Sequence, residues 1–295
     1  MFIVPKEYNV LLTFSPIQEI TGHWFEVFEY YCILKTAGLK PYMLFHSPTI
    51  SFEEVCKALE EKYILPVPKN DMMVLSEREK FIGCPNAVAL VCDGNFFTLE
   101  KHNIKILAKK ILGFGCGDVS TPTGSYKDAE YLLDKRVYNT SYGIDYVKKI
   151  YADILREPTT RKNNTLFYLT KNCRAFSPLR LQEIIDTDLR EYDEHIIVTP
   201  DTASYSSLRG NVRVVQPPMK NMFNEFDTYI YTPTPRHFDC SPRLIAECSL
   251  FDRRVEYYDI DYFDRGLEVR KEDIENGSVW MKNDDAIIPI VEAYL

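Results

Sequence analysis

Basic residues are in the minority in this chain: 35 Lys and Arg stand against 43 Asp and Glu, for a net charge of −8. A general nucleic-acid binder draws its affinity from neutralising phosphates, so this balance argues against one, and a polyanionic partner would have to be met by a local patch. Glycine is scarce at 12 of 295 residues, and a Gly-rich donor loop of the kind that wraps a phosphate is missing. No apolar run approaches the length of a membrane span, and the longest are strand-sized. The N-terminus lacks a basic region followed by a long apolar core, so no secretory signal is expected there. The cysteines (Cys32, Cys56, Cys84, Cys92, Cys116, Cys173, Cys240, Cys248) form neither CxxC nor a Cys/His cluster. Most lie in apolar segments, which predicts buried free thiols, a reducing cytoplasmic setting and no zinc centre. Repeats and low-complexity runs are absent too. What remains is 45% apolar and 13% aromatic, a composition that folds, over a length that suits two modest α/β domains.

Taken in order, the chain alternates strand and helix signals. Asn9–Phe14 reads as a buried strand, Trp24–Thr36 as a helix with Phe25, Phe28, Tyr31, Cys32 and Leu34 at helical spacing, and Gly38 as its C-cap. Pro41–His46 is the second strand, and Ser51 caps a helix running to about Lys62. Asp71–Leu75, Ala87–Cys92 and Lys110–Gly115 read as further strands, Asp128–Lys135 as a short helix and Tyr142–Leu155 as an amphipathic one. Arg156–Asn164 has no apolar residue and suits an interdomain linker. The pattern then restarts with strand Thr165–Leu169, helix Pro178–Ile185 and strands His195–Val198 and Asn211–Val215, and the chain ends in a helix over Asp284–Leu295. This predicts an N-terminal Rossmann-like domain over 1–156, a C-terminal one over 157–282, and a last helix, 283–295, free to cross back.

The most informative stretch is Phe226–Tyr258. A short aromatic strand to Thr232 gives way to the polar loop Arg236-His237-Phe238-Asp239-Cys240-Ser241, and Ser241-Pro242 opens a helix carrying Arg243 and Glu247. Strand, charged loop and helix N-terminus outline an anion site. Lys171 and Arg174 also follow a strand and precede a helix, the crevice side of an α/β sheet. In the first half, Asp93 and Asp118 each follow a strand, and His23 follows Gly22 at a helix start, where the dipole lowers its pKa and keeps it neutral. Each is a candidate general base, and each equally suits a turn or a cap. Asp259-Ile260-Asp261 is a formal DxD, and it reads as a polar strand end rather than a metal motif.

The acidic-x7-acidic spacing Asp239 to Glu247, the Gly22-His23 pair and the segment Gly266-Leu267 to Ile274 resemble GT-B glycosyltransferases, and among them the sugar transferases of tailed phages related to DNA β-glucosyltransferase. The resemblance implies two Rossmann-like domains facing a central cleft and metal-independent sugar transfer, with no bound cofactor and a nucleotide-sugar, UDP-linked, as co-substrate. It further implies donor contacts at Lys171, Arg174, Arg236, His237, Asp239, Arg243 and Glu247, with Glu247 receiving the ribose hydroxyls. The acceptor, near His23, Asp93 and Asp118, would be a hydroxyl such as hydroxymethylated cytosine in double-stranded phage DNA, which puts the protein in a host cytoplasm. Lys101, His102, Lys105, Lys109 and Lys110 offer a basic zone for such an acceptor. A cell-envelope glycan as acceptor, and an inactive nucleotide-binding or interaction protein of the same fold, are the alternatives. The latter rests on Asp at 239 and the missing Gly-rich loop.

Overall fold

The computed structural model describes residues 1–13, 20, 22–63, 65–76, 79–92, 103–114, 129–131, 144–152, 162–169, 177–219, 221–232, 243–258 and 287–295. The chain divides into two units, Met1–Arg156 with Met281–Leu295, and Glu157–Trp280.

The first unit carries strands β1 (Phe2–Ile3), β2 (Val10–Thr13), β3 (Pro41–His46), β4 (Met72–Leu75), β5 (Phe81–Cys92), β6 (Lys105–Phe114) and β7 (Ala129–Tyr131), with helices α1 (Gly22–Thr36), α2 (Phe52–Tyr63) and α3 (Ile144–Ile150). The sheet runs β4-β3-β2-β5-β6-β7, with β1 joining β5, and every pair is parallel. Counted from β2, that is the third-second-first-fourth-fifth-sixth order of a doubly wound sheet, whose switch point lies between β2 and β5. Strands β2 and β3 are buried at every residue, as parallel strands covered on both faces must be, and so they read as unbroken apolar runs.

Strand β5 extends six residues before the Ala87 start that the sequence suggests. A register shift between Cys84 and Val88 leaves Pro85 and Asn86 exposed, and this break hides the first half of the strand. Over 129–131 the expected short helix is instead strand β7, paired with Ile111–Gly113 of β6. The ladder offered by the neighbouring strand overrides a weak local preference.

Helix α1 also differs from a one-faced amphipathic helix. Trp24, Val27, Phe28, Tyr31, Cys32, Ile33 and Leu34 are buried, and so are Glu26 and Glu29. Trp24 stacks on Phe45 of β3 at 4.8 Å, Phe28 packs on Tyr63 of α2 and on Tyr151, and the Tyr63 hydroxyl donates to Glu29. With neighbours on several sides, both glutamates are enclosed. The helix closes on Gly38 at φ +86°, where Leu39 N–H donates to Leu34 O and Gly38 N–H to Lys35 O, each at 3.0 Å, a Schellman ending that favours glycine.

Below α1, Asp71 accepts from Tyr8 Oη at 2.8 Å, from Lys35 Nζ at 2.7 Å and from Tyr31 Oη. Burial works to raise this carboxyl. The lysine and the two phenols outweigh it and hold the group below the ordinary aspartate value. Asp71→Asn is expected to cost about 1–3 kcal/mol, read as a lower urea midpoint, and the loss should shrink toward acid. A depressed carboxylate contributes above its unfolded pKa and loses that contribution as pH falls through the folded one.

The second unit is a five-stranded parallel sheet, β8 (Asn164–Tyr168), β9 (Glu194–Val198), β10 (Val212–Val215), β11 (Thr228–Tyr231) and β12 (Arg254–Tyr257), in the order β10-β9-β8-β11-β12. This is third-second-first-fourth-fifth, again doubly wound, with its switch point between β8 and β11. Helices α4 (Pro178–Thr187), α5 (Thr202–Tyr205) and α6 (Arg243–Leu250) accompany it, and α7 (Ile287–Glu292) belongs to the first unit. Ser177 caps α4 by accepting from Arg180 N–H, with Pro178 at the first helical position.

Charged groups gather where these strands begin. Arg213 donates twice to Glu194 at 2.9 Å and once to Glu225 at 3.0 Å, Lys162 reaches Glu225 at 2.7 Å, and the Asn164 side chain donates to the Glu225 carbonyl at 2.8 Å. His195 is buried at the start of β9 with its Nδ1 2.9 Å from Thr165 Oγ1. Burial pushes its pKa down, against nearby Asp186 and Glu194. The unfolded chain therefore takes a proton before the folded one does. The stability from the neutral ring is complete above the ordinary histidine value and falls as pH drops below it. Between about pH 7 and pH 5, the urea midpoint of the native protein should fall, and His195→Gln should flatten that slope.

Four of the cysteines, Cys32, Cys56, Cys84 and Cys248, are buried free thiols. Among the described residues no helix is long and apolar enough to cross a membrane.

Candidate functional site

In a parallel sheet every strand delivers its C-terminal end to the same edge, and at the switch point the two chains leave in opposite directions, opening a crevice between them. In the second unit that edge is formed by the ends of β8 and β11. The segment holding Lys171 and Arg174 follows β8, and the segment holding Arg236, His237 and Asp239 follows β11. All five residues lie outside the described residues, as do Asp259-Ile260-Asp261 and the segment from Gly266 to Ile274.

Helix α6 continues from the β11 side. It begins at Arg243, directly after Pro242, and its sequence RLIAECSL sets Leu244, Glu247 and Cys248 at three- and four-residue intervals. Cys248 and Leu250 are buried, and Glu247 is only 1% exposed. The helix ends at Asp252 in the left-handed region at φ 53°, with Arg253 N–H donating to Cys248 O at 2.7 Å. The buried Arg253 guanidinium then donates to Phe251 O at 2.8 Å and to Phe223 O at 2.6 Å, putting a cation at the negative end of the helix. A short helix is thus fastened at its C-terminus, and Glu247 is held by the rigid side of the unit.

Tyrosines gather at the C-terminal end of the sheet that α6 accompanies. Register sets Tyr231 of β11 opposite Tyr257 of β12, their rings 5.9 Å apart, and Tyr229 and Tyr231 are 6.1 Å apart along one strand. Tyr229 is also opposite Leu166 of β8, so strand alternation turns Tyr168 to the same face. Tyr168, Tyr231 and Tyr257 therefore line the C-terminal end of three adjacent strands. The Tyr168 phenol is pushed up, first by burial and then by the charge of Glu247, which places that carboxylate within electrostatic reach of the end of β8. Tyr168 and Tyr257 are half-buried.

Chemically, this sets a buried carboxylate, Glu247, in the electrostatic neighbourhood of the Tyr168 phenol. An ionised carboxylate accepts up to four hydrogen bonds and donates none, so it suits a ligand with adjacent hydroxyls. Sequence reasoning missed the tyrosines. Their signal was a Tyr at the last or next-to-last position of separate strands, and only the strand order makes them neighbours.

In the first unit, α1 brings His23 to the helix start beside the end of β2, and β5 ends at Cys92, paired one residue earlier through Val91 with Thr13. The candidate base Asp93 is the next residue after β5. Asp93 and Asp118 lie outside the described residues, and of His23 and Arg243 only the backbone is described. Thr13 Oγ1 at the end of β2, and Trp24 Nε1 on α1 beside Phe45 of β3, are buried and have no hydrogen-bond partner among the described residues. Among the described residues no group of three or more His, Cys, Asp or Glu side chains gathers as a metal site.

Replacing the carboxylate should be felt at the phenol. In Glu247→Gln the Tyr168 pKa is expected to drop relative to the native protein, measured by NMR titration of ring-labelled tyrosine with Tyr168→Phe for assignment. An unchanged Tyr168 titration would place Glu247 elsewhere.

No family model matches the chain, and no curated protein matches it. Solved structures that align with it include a glycosyltransferase from Rickettsia africae ESF-5, 11% identical, covering 97% of this chain and 94% of that one at a TM-score of 0.40. Another is a putative UDP-N-acetylglucosamine 2-epimerase from Listeria monocytogenes, 9% identical, covering 94% and 89% at a TM-score of 0.46.

Proposed function

We propose that the protein is a nucleotide-sugar enzyme, a metal-independent glycosyltransferase of GT-B type, with the donor nucleotide bound by the second unit. The observation that supports this reading is the buried Glu247 carboxylate on the helix that follows β11, within electrostatic reach of Tyr168 at the end of β8. In the acidic-x7-acidic resemblance this residue would receive the ribose hydroxyls. The two hydroxyls of a ribose are donors on adjacent carbons, and one carboxylate can accept both. The diphosphate would be met by Arg243 at the start of α6, where charge and helix dipole act on the same anion. Lys171, Arg174, Arg236 and His237 follow the same two strands. Asp239 completes the motif.

Sugar transfer also requires a base for the acceptor hydroxyl. His23, Asp93 and Asp118 are the residues to test for that role, since each follows a strand of the first unit or opens the helix after one. The acceptor bears a hydroxyl, and hydroxymethylated cytosine in duplex DNA is the finer form of this proposal.

Calorimetry with UDP and a panel of UDP-sugars tests the reading. The native protein should bind, and Glu247→Gln, which keeps the size of the side chain, should weaken binding at least about tenfold with its circular dichroism unchanged. Transfer to hydroxymethylated DNA and to glycan acceptors is then assayed with the donor that binds. No binding of any nucleotide or nucleotide-sugar by the native chain, or equal affinity in the variant, sinks the assignment.

A further inference from the structure

On one face of the first sheet, where β1, β5 and β6 run together, a row of described side chains is exposed. Register sets Ile3 beside Gly83 and Gly83 beside Leu107, and the next row pairs Phe81 with Lys105. Period-two alternation puts Lys105, Leu107 and Lys109 on one face of β6, and Ile106 and Ala108 on the other, where Ile82, Cys84 and Ile106 belong to the core. The outward side chains are exposed: Ile3 is 52% and Leu107 53% accessible, with Lys105 and Lys109 exposed and Phe81 half-buried. Gly83 makes this face smooth. A Cβ there would meet Ile3 Cδ1 at 2.6 Å, so the Ile3 side chain lies flat across the glycine toward Leu107. At the other end, Lys109 Nζ donates to the carbonyl of the C-terminal Leu295, itself an exposed large hydrophobic.

We infer that this face is a docking surface for an acidic protein segment in extended conformation, one that places an aliphatic side chain between two carboxylates. Three features select that occupant. The centre is aliphatic and wants an apolar counterpart, which a duplex phosphate backbone does not offer. No exposed aromatic ring stands in the Ile3–Leu107 row to stack a base, as single-stranded nucleic acid would require. The rim is lysine, in a chain whose net charge is −8, so a second copy of the same face would set lysine against lysine, while carboxylates would be drawn in. The geometry is also periodic. Lys105, Leu107 and Lys109 stand at every second residue and span about 13 Å, which matches an extended segment with Glu, Leu and Glu at alternate positions. The surface lies wholly in the first unit and shares no residue with the proposed nucleotide site, so the two are tested separately. Lys105 and Lys109 also belong to the basic zone offered for a DNA acceptor, which the duplex titration below distinguishes.

The test is a titration of the nitrogen-labelled full-length protein with the peptide Ser-Glu-Ser-Leu-Ser-Glu-Ser, followed by amide chemical shifts. Shifts should saturate and centre on 80–83 and 105–109. Leu107→Ser and the double variant Lys105→Glu with Lys109→Glu, all at exposed positions, should each reduce the affinity at least about tenfold. A peptide with Lys in place of Glu should leave the spectrum unmoved. The inference is overturned if the acidic and basic peptides act alike or neither moves these amides. It is also overturned if short duplex DNA moves them and the acidic peptide does not, or if sedimentation shows a dimer that Leu107→Glu dissolves.

Discussion

Parallel pairing cannot be closed by a tight turn, so each strand in these two sheets must be followed by a path back to the opposite edge before the next can begin. That constraint orders the rest of the molecule. It sends all strand ends to one edge of each sheet, separates the residues that start strands from those that end them, and buries the central strands β2 and β3 at every residue. It also dictates where the chain reverses its direction of winding, between β2 and β5 in one unit and between β8 and β11 in the other. A crevice at each of those points follows from the winding itself, before any side chain is considered.

The two edges of the sheets are treated differently. At the beginning of the strands, charges are paired to hold the architecture. Asp71 is tied to Tyr8, Tyr31 and Lys35, Arg213 to Glu194 and Glu225, and Arg253 is spent on backbone carbonyls. At the end of the strands in the second unit, by contrast, a carboxylate and a row of phenols are collected, and the helix carrying the carboxylate is fastened from its far end. Structural polarity at one edge and chemical polarity at the other is what a sheet of parallel strands permits. An antiparallel sheet would have mixed the two.

Much of the fold was legible in the linear chain. Strands such as Pro41–His46 and helices such as Pro178–Thr187 carry their own signals, an unbroken apolar run in one case and a Ser-Pro start in the other. Gly38 marks the end of α1 because only glycine adopts its backbone angle cheaply. The misreadings share a cause. The first half of β5 is interrupted by Pro85 and Asn86 at a register shift, and β7 is a strand only because β6 is beside it. The burial of Glu26 and Glu29 depends on neighbours that are remote in sequence. Of the candidate site, Glu247 was legible from its spacing to Asp239, while its partner Tyr168, 79 positions earlier by number, was not.

The sequence by itself determined the alternation of strand and helix, the restart of that alternation near residue 164, and the acidic and basic residues placed after strands. Those are local properties: periodicity, capping and turn chemistry act over a few residues and can be read there. Tertiary structure alone decided which strands are neighbours, and hence that Tyr168, Tyr231 and Tyr257 share an edge, that Glu247 acts on Tyr168, and that Ile3, Gly83 and Leu107 share a face. Strand order is settled by how apolar faces are covered across the whole unit, a collective balance that no short window of sequence contains.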